Sequence, residues 1–384
     1  MKQYLVLFQG ILGQATRPTR MANYLAGKGK VTICAYGQTS EAEGSDHEFI
    51  LLNKQNRRLP EKVTRGISLF LGRFESDLWS SEIRRVYAVL KAKQFDGIFC
   101  HDPTLLPLAL ALRDKCTVNG FISKVIVDIR EYYPRHFEED ATWRYTLGKL
   151  NHYIVKRYFN LADKCYVVSS GIQQEFERCY GIKSCLLPSF SIYSDVKPHN
   201  SGAGPLRCIH HGGAKRGRKL ELLIESMSLL DSEVNLDLML MPNDRSYYYQ
   251  LVKMGDSVPN VNFITPVSLS QIVAVTSKYD VGIHLLPPVS FNHQFAMPNK
   301  LFEFIQARLA IVVGPSPDMA EFVLDNELGV VADDFTSEAL AACLRKLTRD
   351  DINRFKENAD TAARKYCWER NEAFLDRELA HIFN

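Results

Sequence analysis

The sequence predicts an α/β protein built as two Rossmann-like domains. Three observations lead there. Short apolar runs of strand type alternate with longer amphipathic stretches, the rhythm of parallel sheets covered by helices on both faces. That rhythm breaks over 191–205, where Pro198, Asn200, Ser201, Gly202, Gly204 and Pro205 gather, and restarts at Leu206-Arg207-Cys208-Ile209-His210. Glycines or cations stand where several strand runs give way to helices, at the ligand-facing end of such sheets. The expected division is a first domain over 1–190, a linker over 191–205, a second domain over 206–365 and a terminal helix over 366–384. No sequence repeat relates the two halves.

Composition narrows the function classes. A chain of 384 residues suits two or three domains, and 46% hydrophobic with 24% charged residues suits a large soluble core. The net charge of +3 is too small to argue for nucleic acid. The nine cysteines are scattered with no Cys-x-x-Cys pair, so no metal is expected. Several lie inside strand patterns, which suggests buried thiols in a reducing cytoplasm. No apolar run approaches the roughly 18 residues of a membrane span. The opening Met1 to Phe8 is too short for a signal peptide and reads as a first strand.

The first half follows that rhythm. Tyr4 to Phe8 is a strand run, and Gly13 begins a loop before a helical pattern near Arg17 to Arg20. A glycine turn there lets a ligand approach the backbone, although the spacing is not the dinucleotide fingerprint. Val31 to Tyr36, Phe49 to Leu52, Gly97 to Cys100 and Lys124 to Val127 are further strands, and Ser81 to Lys93 is an amphipathic helix. His101, Asp102, Arg130 and Glu131 fall just past strand ends, facing a ligand crevice or serving as turn and cap chemistry. Trp143 to Phe159 reads as one long helix carrying Trp143, Tyr145, Tyr153, Tyr158 and Phe159 among four cations. Its aromatics either pack on the sheet with solvated cations between them, or form a membrane-surface face. Lys164 to Val168 is a strand, and a helix begins at Ser169-Ser170-Gly171.

The second half carries the strongest chemistry. His211-Gly212-Gly213-Ala214-Lys215-Arg216-Gly217-Arg218-Lys219 reads as a loop between a strand and a helix over 220–230. Four cations and three glycines there suit a diphosphate cradle, with a solvated basic loop as the alternative. Leu236 to Met241 and Val261 to Ile264 are strands, and Thr265-Pro266-Val267 leads to a helix from Ser268. Tyr279 to Leu285 is a strand, and Pro298-Asn299-Lys300-Leu301-Phe302-Glu303 opens a helix before the strand over 309–313. Pro298 fixes its own φ and Asn299 suits an N-cap. The free N–H groups of that first turn, with Lys300, can hold a phosphate, and Glu303 one turn on can accept from a sugar diol. An ordinary helix with a surface Lys and Glu is the alternative. Three helices, over 338–347, 351–365 and 368–382, finish the chain.

These residues, in this order, resemble the retaining glycosyltransferases of the GT-B fold, family 4 in particular. The matching pieces are Asp128-Ile129-Arg130-Glu131-Tyr132-Tyr133-Pro134, Ala162-Asp163-Lys164 through Ser169, Gly212-Gly213 with Arg218, Tyr279-Asp280-Val281-Gly282, and Pro298 to Glu303. The resemblance implies two Rossmann-like domains facing each other across a cleft, with the last helix crossing back to the first domain. It implies that Arg218, Lys300 and the helix start at Pro298 and Asn299 hold the donor diphosphate, that Glu303 binds the ribose, and that Thr265 and Val267 meet the base through backbone groups. Gly13, Gly212 and Gly213 would allow close approach to the ligand. Two positions depart. Phe295 stands where the family often has the first glutamate of a Glu-x7-Glu pair, and Arg130 stands where it often has histidine, with His101 and His293 in reach as substitutes.

The expected function is a cytoplasmic, metal-independent, retaining glycosyltransferase with Arg130, Arg218 and Lys300 in catalysis. It works on a cell-surface polysaccharide or related glycan; its partners are a nucleotide-sugar donor and a glycan or lipid-linked glycan acceptor, with peripheral membrane contact and no nucleic acid. The alternatives are a nucleotide-sugar epimerase of the same fold, which needs no acceptor, and a nucleotide-sugar-binding subunit without turnover.

Overall fold

The computed structural model describes all residues except 40–46, 55–57, 119, 231–232 and 384. The chain divides into two compact units. The first holds Met1–Leu187, Ser290–Asn292 and Phe374–Asn384; the second holds Pro188–Val289 and His293–Ala373.

The first unit is built on strands β1 (Lys2–Leu7), β3 (Gly29–Ala35), β5 (Glu48–Leu51), β6 (Gly97–Cys100), β7 (Lys124–Ile129), β8 (Lys164–Val167) and β9 (Cys185–Leu186), with β2 (Ile11–Leu12) and β4 (Gly37–Gln38) as a small separate pair. They form one parallel sheet in the order β5-β3-β1-β6-β7-β8-β9. The central runs are apolar on both faces, as a sheet covered on both sides requires: Leu5, Val6 and Leu7 of β1 and Val125, Ile126 and Val127 of β7 are fully buried.

The second unit repeats the plan with β10 (Leu206–Gly213), β11 (Val234–Met241), β12 (Val261–Phe263), β13 (Val281–His284), β14 (Ala310–Val313) and β15 (Gly329–Val331). The order is β12-β11-β10-β13-β14-β15, again parallel. Strand order reverses in each sheet about its first strand, the doubly wound arrangement of Rossmann-like domains. At Gly329 a Cβ would lie 1.8 Å from the Ile311 carbonyl oxygen, and backbone in mid-sheet cannot yield. Gly329→Ala is expected to destabilise the second unit by about 1–3 kcal/mol, read as a lower denaturation midpoint by circular dichroism. A midpoint equal to that of the parent would contradict this packing.

Several elements differ from the sequence reading. The strand expected to end at His210 runs on to Gly213 as β10, so His211, Gly212 and Gly213 are strand residues paired with β11. The helix expected over 220–230 is Glu221–Ser228, preceded by a 3-10 turn at Arg216–Arg218 and by Lys219 at φ 52°. The helix from Ser268 begins as a 3-10 turn, Leu269–Gln271, and continues as Ile272–Thr276. Trp143 to Phe159 is not one α-helix: a turn at Ala141–Trp143 opens into a π turn at Arg144–Gly148, then the helix Lys149–Tyr158. The Trp143 ring lies over Gly148, 3.0 Å from where a Cβ would stand. Trp143 and Phe159 are buried and Phe159 stacks on Phe176, whereas Tyr145 is exposed and Tyr153 and Tyr158 are half-buried against each other.

Residues 188–205, which include the expected linker, carry no helix or strand and count with the second unit. They are pinned there: the Ser194 N–H donates to Gln306, and that of Ser201 to Asn353. The last helix, Trp368–Phe383, begins in the second unit, and its residues from Phe374 on count with the first. There Tyr24 donates to Asp376 at 2.7 Å, and the Phe383 ring covers Gly97, where a Cβ would meet it at 2.6 Å. Among the described residues no helix is long and apolar enough to cross a membrane.

Candidate functional site

In the second unit the chemistry gathers where the neighbouring strands β10 and β13 end. Their last residues are His210-His211-Gly212-Gly213 and His284. The helix Asn299–Gln306 is clamped over them by Leu301, Phe302, Phe304 and Ile305, all fully buried. Gly282 makes that clamp possible, because a Cβ there would stand 2.5 Å from the Phe304 ring. The residues between these anchors, Lys300 and Glu303, are thereby held over the sheet.

Pro298, extended at φ −75° and ψ 152°, occupies the cap position, and Asn299 is the first helical residue. The expected N-cap role of Asn299 is therefore corrected by one position. Proline's fixed φ suits it to precede the first turn. Lys300 is buried rather than displayed. Its Nζ lies 3.1 Å from His210 Nε2 and 3.2 Å from His284 Nδ1. His210 Nδ1 faces the Ile283 carbonyl oxygen at 2.9 Å and so carries the proton, leaving Nε2 as acceptor toward the lysine.

Arg218 reaches the same place from the 3-10 turn, its Nη1 donating to the Gly213 carbonyl at 3.1 Å. Gly212, at φ 131°, lies between the two cations: a Cβ on it would stand 3.1 Å from Arg218 Nη1 and 3.6 Å from Lys300 Nζ. At Gly213 a Cβ would meet Asn243 Oδ1 at 2.2 Å. Both glycines thus let backbone approach the cations closely. Glu303, one turn after Lys300, places Oε2 at 3.5 Å from His211 Nε2.

Burial and crowded positive charge set the protonation here. Burial first, then the Arg218 guanidinium, lower the Lys300 pKa well below the ordinary lysine range, with Glu303 opposing. Burial and then Lys300 lower His210 and His284 well below the usual histidine value, and His211 to about 3. The three imidazoles are therefore neutral. His211 Nε2 and His284 Nε2 are buried without a hydrogen-bond partner, so polar valence remains unfilled at the strand ends. A cluster of two basic side chains, glycine backbone and a carboxylate is suited to an anion with a polyol attached.

Thr265 and Val267 follow β12 at the sheet edge, two strands from β10 but at the same C-terminal end. Phe295 is half-buried, just past the short helix Phe291–Gln294. Gly13 and Arg130 belong to the first unit. Gly13 has φ 91°, and a Cβ on it would meet Thr39 Oγ1 at 2.1 Å. Arg130 is exposed, directly after β7. Near it Asp102 accepts from the Gln9 N–H at 2.7 Å, and burial raises its pKa. His101 is buried against Asp128, which is committed to Arg17, so these three hold the sheet together.

Reading along the sequence missed His210, His211 and His284 as site residues. The available signal was histidine at the ends of two apolar strand runs, where a polar side chain has no place in a covered sheet unless it faces a ligand.

Residues 11–187 match the family described as Glycosyltransferase Family 4. No curated protein matches the sequence. Among solved structures, HepE of Anabaena, in complex with UDP-glucose, is 12% identical, with 99% of this chain and 100% of that chain covered at a TM-score of 0.73. Sucrose-phosphate synthase from Thermosynechococcus elongatus is 13% identical over 100% and 99%, also at 0.73. WaaG, a glycosyltransferase involved in lipopolysaccharide biosynthesis, is 14% identical over 94% and 95%, at 0.64. Each resembles this chain in its whole two-domain fold. Residues 11–187 thus match Glycosyltransferase Family 4, and the chain as a whole has the GT-B fold of these structures.

Proposed function

We propose that the chain is a retaining glycosyltransferase that moves a sugar from a nucleotide-diphosphate donor to a glycan or lipid-linked glycan acceptor in the cytoplasm, without a metal. The observation that carries this reading is the meeting of Lys300 and Arg218 at Gly212, with Glu303 one turn behind. Two preorganised cations at a helix start stabilise a leaving diphosphate, the role a divalent ion would otherwise fill. A front-side displacement then needs no enzyme nucleophile. Gly213, Pro298 and Asn299 are assigned to the phosphates and Thr265 and Val267 to the base, and Arg130 and Gly13 are assigned to acceptor binding by the first unit. HepE, solved with UDP-glucose, supports a nucleotide sugar as donor, and WaaG supports a glycan acceptor.

The test is thermal shift against UDP, GDP, CDP, ADP and CMP compounds, since a ligand that binds only the folded state raises the melting point. The nucleotide sugar found would then be incubated with oligosaccharide, lipid-linked and sugar-phosphate acceptors, and the product anomer read by NMR. Inverted product, or donor turnover equal with and without acceptor, would overturn the reading.

Glu303→Gln separates binding from chemistry. The carboxylate lies behind the phosphate-binding turn, where a ribose diol would sit, and the substitution keeps size while removing charge. It is expected to raise the donor KM severalfold with kcat nearly unchanged, as for interactions equal in ground and transition states. Loss of kcat with donor affinity intact would move Glu303 into the catalytic centre.

A further inference from the structure

Lys300 is held by two buried histidines. His210 lies in β10 and His284 ends β13; the strands are neighbours, and the rings stack with centres 5.9 Å apart. Both are buried in a covered sheet, where an imidazole costs desolvation that leucine would not. Among the described residues these two rings are the hydrogen-bond partners of Lys300 Nζ, at 3.1 and 3.2 Å, and neither is an anion. Each accepts in a defined tautomer. His210 Nδ1 faces the Ile283 carbonyl at 2.9 Å, so its Nε2 accepts from the lysine. His284 turns Nδ1 to the lysine, so its proton is on Nε2.

An acceptor without charge suits this place. A carboxylate would pair with Lys300 and compete with a phosphate, and a cationic imidazole would repel the lysine. Burial and then Lys300 keep both rings neutral. A neutral acceptor still favours the ammonium over the amine, because its hydrogen bond to a charged donor is the stronger one. With two hydrogens of the ammonium given to fixed rings, the direction of the third is set. The space that Gly212 leaves open lies against this nitrogen: a Cβ there would stand 3.6 Å from Lys300 Nζ and 3.1 Å from Arg218 Nη1. The charged and titratable groups that face Lys300 are His210 and His211 from β10, His284 from β13, Arg218 from the 3-10 turn and Glu303 from its own helix.

We propose that His210 and His284 are positioning residues of the donor site, two neutral acceptors that stabilise the ammonium form of Lys300 and aim its remaining N–H at the donor diphosphate. This role rests on the proposed donor function of Lys300 and Arg218, and the test separates the two. Calorimetry with UDP and with inorganic pyrophosphate is run from neutral to alkaline pH. His210→Leu or His284→Leu removes one acceptor, so Lys300 loses its proton at lower pH. Each should weaken both ligands about tenfold at neutral pH and move the alkaline fall in affinity to lower pH. His210→Gln and His284→Asn place a carboxamide oxygen near where Nε2 and Nδ1 stood, and should recover much of the loss. A merely structural role would lower the melting point of the leucine variants without moving the pH profile. Leucine variants that keep the parent's affinity and profile, or carboxamide variants no better than leucine, overturn the proposal. Imidazole nitrogen NMR of the ligand-free protein is the second readout. His210 is expected protonated on Nδ1 and His284 on Nε2, with both acceptor nitrogens shifting in Lys300→Met. Either ring cationic at neutral pH, or protonated on the nitrogen that faces the lysine, overturns the proposal without any ligand. A parent that binds neither probe while the spectra come out as expected defeats the donor assignment, and the aiming role with it, but not the lysine contact.

Discussion

Asp128→Ala is expected to lower the stability of the first domain by about 3–5 kcal/mol, the usual effect of removing one partner of a buried ion pair. Asp128 is fully buried in β7, and Arg17 of the first helix is 2% exposed. The Arg17 Nε lies 2.8 Å from both carboxylate oxygens, and His101 Nδ1 is 3.1 Å from Oδ2. Without the carboxylate, a buried guanidinium loses its anionic partner, while the Leu187 carbonyl still accepts from it. Burial pushes the Asp128 pKa up, but Arg17 and His101 outweigh it and hold the carboxyl well below its ordinary 3.8. The sign follows from that direction. A carboxyl depressed in the folded state contributes stability that is present above its unfolded pKa and is lost as pH falls through the folded value. The parent should therefore lose stability steeply below about pH 4, and the variant less so. Urea denaturation followed at neutral pH and at successively lower pH reads both effects. Equal midpoints for parent and variant at neutral pH would show that the pair contributes nothing.

The second large effect is expected at the proposed donor site. Charge-assisted hydrogen bonds contribute about 1.5–3 kcal/mol each, and 1.4 kcal/mol is tenfold in affinity. Arg218→Ala should weaken nucleotide diphosphate binding roughly tenfold or more, and the double variant with Lys300→Ala more than either single one. The two cations flank Gly212 and would share one diphosphate, so the losses should not simply add. The same geometry makes binding proton-linked. The empty site depresses the Lys300 pKa through burial and Arg218, with Glu303 opposing and the three neutral imidazoles adding no charge. An entering diphosphate favours the ammonium form and raises that pKa. The complex therefore takes up protons between the two values, and affinity falls as pH rises through the lower one. Calorimetry in buffers of different ionisation enthalpy measures the uptake. Lys300→Arg stays charged and should remove it while keeping much of the affinity. Unchanged affinity in Arg218→Ala, with the fold intact, would refute the site.

Local pattern sufficed for much of this protein. The strand stretches Tyr4 to Phe8, Val125 to Val127 and Leu238 to Leu240 are apolar and buried on both faces, as a covered parallel sheet requires. Their alternation with helices determined two α/β domains, and the cluster from Pro298 to Glu303 marked a helix start with a cation and a carboxylate. Local pattern failed where backbone conformation depended on a partner. His211 to Gly213 reads as loop because glycine is a poor strand former, yet pairing with β11 carries the strand to Gly213. The π turn after Trp143 depends on a ring packed over Gly148. Asp102 and Asp128 both read as polar residues near strand ends, but Asp128 is buried against Arg17, 111 positions earlier, a pairing no local signal carries.

The sequence by itself determined the fold class, the element rhythm and which segments gather glycines and cations at strand and helix ends, because those follow from periodicity and residue type within a few turns of chain. Only the tertiary structure decided that Lys300 sits between His210 and His284, 90 and 16 residues away. That placement arises because β10 and β13 are neighbours in the sheet though far apart in the chain, and because Gly282 lets Phe304 draw the helix down onto them. A lysine on a helix start reads as an exposed charge, whereas here burial and then the Arg218 guanidinium lower its pKa well below the ordinary lysine range.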